Sequence, residues 1–304
     1  MTVSRRLVLF LLLLVVAAVL LFLPLPVPPT TAGRTIENAG HTPLFMALTL
    51  GFLAVLSRDF NLTGAKVYVI SAILGLGGGI ATEIIQIPFH RDASWEDVAD
   101  DALGVVLALA LYALFDGRTR MGRFMRFVAL CVVVACATIY VTPILRMERA
   151  YLHRDGQFPV LADFASSTEL YWVVGYGVNR SLVRGALDIE FTPAEFPGVS
   201  FYEPVPDWHG FRTLVIDLEN PDADALKISI RVHDIGHGRD YADRFNRRYT
   251  LAAQERRTIR IALEEIRRAP RGRVMDLRQI SDITIFRGEP SGSRHLRVYS
   301  VRLE

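Results

Sequence analysis

Apolar residues follow two unlike patterns that meet near Arg146. Upstream they form long runs almost free of charge: Leu7–Pro24, Pro43–Ser57, Val67–Ile87, Val98–Phe115 and Phe127–Leu145. Each run approaches the roughly 20 residues that a helix needs to cross about 30 Å of hydrocarbon. The pattern therefore predicts a membrane domain of about five transmembrane helices over residues 1–145. Downstream, Leu226–His233 and Thr258–Leu263 alternate apolar and polar positions with the period of a strand. Leu214–Leu218, Phe245–Leu251, Ile283–Phe286 and Leu296–Leu303 are further strand candidates, separated by turn signals at Asn220-Pro221-Asp222, Gly236–Gly238, Arg271-Gly272 and Pro290–Gly292. This spacing predicts an all-β sandwich or jelly roll over residues 158–304, with one helical turn at Glu264–Arg268 and a linker over residues 146–157.

Charge fixes the expected orientation. Arg5 and Arg6 precede the first span, Arg58 and Lys66 lie between spans two and three, and Arg118, Arg120, Arg123 and Arg126 lie between spans four and five. The alternate loops hold only Arg34 and Arg91. The positive-inside rule then puts the N-terminus in the cytoplasm and the β-rich part outside, which for a bacterial inner membrane would be the periplasm. The first apolar run, about 18 residues, exceeds the roughly 7–15 of a cleaved signal, so an uncleaved anchor is expected. Over all 304 residues the net charge is only +2, which gives no basic field for nucleic acid. Both cysteines, Cys131 and Cys136, fall inside span five, which excludes a disulfide framework. No metal-ligand spacing is evident, and no metal or organic cofactor is expected.

The strongest candidate chemistry is a polar island between spans three and four. Glu83 and Gln86 close span three, Arg91 and Ser94 occupy the connection, and Asp97 and Asp101 open span four. Ionisable groups at membrane depth are costly, so they face a protein interior or a water-filled cavity. Helical spacing puts Glu83 with Gln86 on one face, and Asp97, Asp101 and Gly104 on another. The topology brings His41, at the start of span two, to the same outer end. Ser94 is also placed to N-cap span four. Two readings stand for this cluster: binding or processing of a polar headgroup, and hydrogen bonding that only joins helices. Gly75, Gly77, Gly78 and Gly79 read as positions of close helix packing. In the β-rich part, Trp172, Tyr176, Tyr202 and Tyr241 are candidate platforms for sugar rings, while Trp208, beside a strand start, reads as core. His233, Asp234, His237, Asp240, Asp243 and Arg244 form a dense polar set beside them.

Two resemblances rest on these residues. His41, the Glu83-x-x-Gln86 pair, Arg91-x-x-Ser94 and Asp97 resemble the VanZ-like family over about residues 34–115. Members commonly carry Asp-Lys before the His, where this chain has Glu37-Asn38, and an Asn where it has Asp101. The β-rich part is similar to galactose-binding-like, carbohydrate-binding jelly rolls over about Leu161–Leu303. That likeness is carried by Asp207–Leu214, Arg231–Asp234, Tyr241–Asn246, Ile261–Leu263 and Leu296–Leu303. It implies a structural calcium held by an Asp near the terminal strand, where this chain has Ser300. Together the resemblances imply an envelope protein that recognises a glycan or lipid-linked saccharide in a non-catalytic accessory role connected with glycopeptide tolerance. In this reading Arg91 pairs with a lipid phosphate. One rival is a membrane enzyme acting on a lipid-linked sugar or phospholipid headgroup, with His41 or Glu83 carrying protons. Another is a scaffold whose sandwich binds an envelope protein.

Overall fold

The apolar runs are helical, and most of their surface finds no protein partner. The computed structural model describes residues 4–23, 30–86, 94–116, 122–238, 240–288 and 294–304. Its helices are α1 (Arg5–Phe22), α2 (Thr31–Ala39), α3 (His41–Arg58), α4 (Ala65–Gln86), α5 (Trp95–Phe115) and α6 (Arg123–Gln157). Ser4 caps α1 through the Leu7 N–H, Thr30 caps α2 through Gly33, and Ser94 caps α5 through Glu96. Five helical stretches are long and apolar enough to cross a membrane; α2 and α3 together make one of them. Leu12, Val15, Ile73, Ile84 and Phe127 are among their exposed side chains. The short α2 is absent from the sequence reading because Arg34, Glu37 and Asn38 break its apolar pattern.

The chain divides into two units, Met1–Arg146 and Met147–Glu304. In the first, α3 packs on α1, α4 and α5, with Ala17, Leu21, Phe45, Leu48 and Val105 forming the core. Glycines set the spacing. A Cβ built on Gly104 would lie 2.3 Å from the Thr42 carbonyl oxygen and 2.9 Å from the Met46 nitrogen. Gly75 lies against Val105 and Thr49, and Gly79 against Asp101, whereas Gly77 faces open space.

Residues 146–157, expected as a linker, instead continue α6. Nothing from Met147 to Asp155 breaks a helix. In the second unit Ala150 is buried in the core, Tyr151 donates to the Glu203 carboxylate, and Arg154 donates to the Glu203 carbonyl at 2.9 Å.

The rest of that unit is a two-sheet antiparallel sandwich. One sheet has the order β3-β4-β11-β6-β9, formed by Val178–Val183, Ala186–Phe191, His295–Leu303, Thr213–Glu219 and Arg256–Ala262. β1 (Val160–Ala162) adds to β11. The other sheet has the order β2-β5-β10-β7-β8, formed by Val173–Tyr176, Gly198–Tyr202, Ile280–Phe286, Leu226–Asp234 and Phe245–Leu251. The expected helical turn is α7 (Leu263–Arg268). Alternate residues of both sheets fill one core that includes Leu187, Ile189, Phe201, Leu214, Ile216, Ile230 and Ile283. Trp208 is fully buried there, its indole N–H donating to the Val205 carbonyl at 2.9 Å.

Candidate functional site

Two polar constellations stand out, one in each unit. In the helical unit, α3 and α5 pack closely enough at Gly104 for polar residues one turn away to meet. His41 Nδ1 lies 2.9 Å from Asp101 Oδ1, and the Thr42 hydroxyl donates to the Asp100 carbonyl at 3.0 Å. Glu83, on α4, accepts the Ser94 N–H through Oε2 at 2.9 Å. One donor atom from each of His41, Glu83 and Asp101 lies within 4.8 Å of the others. The side chains of Glu83 and Asp101 are buried, yet Glu83 Oε1 and Asp101 Oδ2 make no hydrogen bond among the described residues. Gln86, expected in the same set, instead donates to the Leu21 carbonyl at 2.8 Å near the end of α1, a purely interhelical bond. Ser94 caps α5 as expected while its N–H holds Glu83. Asp97 is half-buried one turn before Asp101. Arg91 lies outside the described residues.

In the sandwich, strand register sorts the second constellation. Directly paired residues share a face, so the outer face of the five-stranded sheet can be read across its ladders. One row runs Tyr176, Gly198, Phe286, Ser229 and Arg248. The next runs Val174, Ser200, Thr284, Arg231 and Asn246, and a third runs Tyr202, Asp282 and His233. Phe196 and Tyr241 flank the first row. With Ser229, Arg248, Thr250 and Phe286 they line a groove of about 300 Å³. Phe196 and Phe286 meet edge to face at 6.2 Å, and the Arg244 guanidinium stacks 4.8 Å from the centre of the Tyr241 ring.

The floor of this face is a polar network. Ser200 and Thr284 both donate to the buried Asp282 carboxylate, and Arg231 donates to the Thr284 hydroxyl at 2.9 Å. Burial pushes the Asp282 carboxyl above its usual range, against the pull of those hydroxyl donors. His233 sits 3.8 Å from Asp282, and its ring centre lies 4.6 Å from that of His237 with the two rings tilted by 49°. Burial, then the nearby His237, Arg231 and Arg244, lower the His233 imidazole to about 4. His233 Nδ1, Arg244 Nε and Asn246 Nδ2 are buried and make no hydrogen bond among the described residues. Unsatisfied polar atoms are rare in folded proteins, and several on one face mark a place that a ligand or water completes.

A measurable pH dependence follows. An unfolded histidine takes up its proton near 6.5, but His233 in the fold does so only near about 4. The unfolded state therefore binds more protons between those values, and the sandwich loses stability as pH falls from about 6.5 toward 4. The raised Asp282 opposes this trend, since its protonation favours the fold. Denaturant melts between about pH 7 and 4 are expected to show a shallower loss in His233→Gln than in the wild type.

Two candidates are not available as ligand platforms. Trp172 is 4% exposed and packs in the core, at the end of the helical turn over Ser167–Tyr171 and before β2 begins. Asp234 points to the core side of β7 and is gripped by Arg273, which donates to both of its oxygens at 2.7 Å. Burial alone would raise the Asp234 carboxyl, but these bonds and the Asp276 N–H hold it below the usual range. Arg273 also donates to Asp243, whose carbonyl lies 2.8 Å from His237 Nδ1. The sequence reading missed Arg273, Phe196, Arg248 and Phe286. For Phe286 and Arg248 the signal was strand alternation, which placed them on an outward face without showing which residues stood beside them.

No family model matches the chain, and no curated protein matches it. The VanZ-like resemblance of residues 34–115 therefore rests on its motif residues alone. Among solved structures, the chain is similar to a family 11 carbohydrate-binding module from Clostridium thermocellum in complex with a beta-1,3-1,4-mixed-linked tetrasaccharide. That match has 18% identity and a TM-score of 0.39, covering 47% of this chain and 93% of the module. The chain is similar at 17% identity to a mutant of a family 29 carbohydrate-binding module, with a TM-score of 0.32 over 47% of this chain and 89% of that one. An agarase, AgWH50C, matches at 19% identity and a TM-score of 0.39, covering 48% of this chain and 26% of the agarase.

Proposed function

We propose that the sandwich binds a saccharide on the outer face of its five-stranded sheet. In this reading the helical unit holds the chain in a bacterial cytoplasmic membrane, with the N-terminus inside and the sandwich in the periplasm. The role is that of a non-catalytic, VanZ-like envelope accessory. The observation that carries the saccharide reading is the composition of one sheet face. Aromatic rings (Tyr176, Phe196, Tyr241, Phe286) border a floor of fixed hydroxyl, carboxylate, imidazole and amide groups, several with unused hydrogen-bonding atoms. A sugar needs this combination: its C–H faces pack on rings, and its hydroxyls require donors and acceptors at set positions. Arg231, 3.8 Å from the Asp282 carboxylate, and Arg244, over the Tyr241 ring, add positive charge to this face, which favours a saccharide with acidic or phosphate groups, lipid-linked sugars included.

The full chain in nanodiscs, screened against neutral, uronate-bearing and phosphate-bearing envelope glycans, provides the test. Binding to at least one acidic class is expected, with Phe286→Ala and Arg248→Ala each weakening it about tenfold, the equivalent of roughly 1.4 kcal/mol. Unchanged sandwich stability in both variants confines the effect to the groove. Failure of the wild type to bind any of these glycans overturns the reading.

A further inference from the structure

The helical unit carries three side chains whose chemistry goes beyond hydrogen bonding between helices. His41 stands at the first turn of α3, Glu83 near the last turn of α4, and Asp101 two turns into α5. Each offers a donor atom within 4.8 Å of the other two. Two observations separate this group from an ordinary polar contact. First, Glu83 is 4% and Asp101 1% exposed, yet each keeps one carboxylate oxygen without a hydrogen-bond partner among the described residues. A buried, unsatisfied carboxylate oxygen is expensive, and this group holds two. Second, α4 has a glycine where it meets Asp101. A Cβ on Gly79 would lie 2.9 Å from Asp101 Oδ2, so the missing side chain is what gives that free oxygen its room.

The bonds that do exist orient the group and leave its free oxygens available. Ser94 N–H fixes Glu83 Oε2, so Oε1 is the oxygen left over. Asp101 Oδ1 faces His41 Nδ1 at 2.9 Å, so Oδ2 is left over. Pairing one imidazolium with one carboxylate would still leave the second carboxylate uncompensated. A dication with two carboxylates and a neutral imidazole makes a neutral assembly, which a low-dielectric helix interface tolerates far better. One nitrogen and two oxygen donors suit an ion of the zinc or manganese class, while calcium and magnesium prefer oxygen alone. We infer that His41, Glu83 and Asp101 form a three-ligand site for a divalent first-row transition ion, with coordination positions left for water or an anionic ligand.

The test uses the full chain, purified in detergent on a tag without histidine. Elemental analysis is expected to find close to one equivalent of a transition metal. After chelator stripping, cobalt(II) is expected to restore one equivalent, with visible d–d bands of nitrogen and oxygen ligation and no thiolate charge-transfer band. Glu83→Gln and Asp101→Asn, nearly isosteric, are expected to weaken cobalt binding at least as much as the roughly ten- to hundredfold typical of outer-sphere changes. Wild-type protein that takes up no stoichiometric zinc, manganese or cobalt overturns the site. So does uptake that persists unchanged in both variants while they elute as the wild type does. Should both variants misfold, the wild type decides alone. Chelation must lower its melting temperature and added metal must restore it, because an ion bound only to the fold stabilises it; a melting temperature indifferent to both rejects the site.

Discussion

Gly104→Ala is expected to destabilise the helical unit by about 1–3 kcal/mol, the range for overpacking a closed interface, and to fall at its upper end. The added methyl would meet a carbonyl oxygen at 2.3 Å and a backbone nitrogen at 2.9 Å. Backbone atoms cannot rotate away as a side chain can, so α3 must move off α5. That movement also separates His41 and Thr42 from Asp101 and Asp100, which lie one turn away. Gly77→Ala is the matched control, because its methyl meets nothing within 4 Å and alanine favours a helix over glycine by about 1 kcal/mol. Thermal unfolding of the detergent-purified variants should place Gly104→Ala well below the wild type and Gly77→Ala at or above it. Equal melting of the two alanine variants would mean that the close crossing does not exist.

Arg273→Ala is expected to cost the sandwich about 2–3 kcal/mol, below the roughly 3–5 kcal/mol for stripping one partner from a fully buried ion pair, because the Arg273 side chain is 29% exposed and its loss admits water. The reason lies with the residue left behind. The Asp234 side chain is 2% exposed, and two of its three partners are the Arg273 nitrogens at 2.7 Å. Lysine at 273 should recover only part of the loss, since a point ammonium cannot reproduce the two-pronged contact. Asp234→Asn in the Arg273→Ala background should recover more, because it removes the stranded charge. The full chain, unfolded by denaturant and followed by tryptophan fluorescence, reports the order; Arg273→Ala within about 1 kcal/mol of wild type would contradict it.

Hydrophobic periodicity made the helical stretches and six of the strands legible, from β6 onward. The earlier strands were hidden for separate reasons. β5, Gly198–Tyr202, is buried at four of its five positions because Ser200 faces the covered polar floor, so the sequence shows no clean alternation. β3 and β4 join through Arg184-Gly185, both in the left-handed region at φ 53° and 72°, a two-residue hairpin turn without the Asn-Gly or Asp-Gly that usually announces one. β4 did carry a period-two signal in Leu187, Ile189 and Phe191. For the sites, the alternation of the spans placed His41 and Asp101, 60 residues apart, at the same end of the helices, and the structure adds the 2.9 Å contact between them. The same logic overreached for Gln86, since a helix end has several neighbours and sequence does not say which one a long side chain reaches. Trp172 and Asp234 show a similar limit. Residue type suggested a sugar platform and a polar rim, but the turn before β2 carries Trp172 into the core, and the alternation of β7 puts Asp234 on its core side.

The strand order of the sandwich also dictates a sequence of events during folding. β11 lies between β4 and β6, so it joins the β3–β4 hairpin on one side to the β6–β9 pair on the other. Until residues 295–303 have been synthesised and delivered, those two halves share no strand and their edges stay open. Open edges invite pairing with other chains. The most vulnerable moment of this domain is therefore the interval between the emergence of β9 and the arrival of β11, when five of the six strands of that sheet are present and its centre is missing.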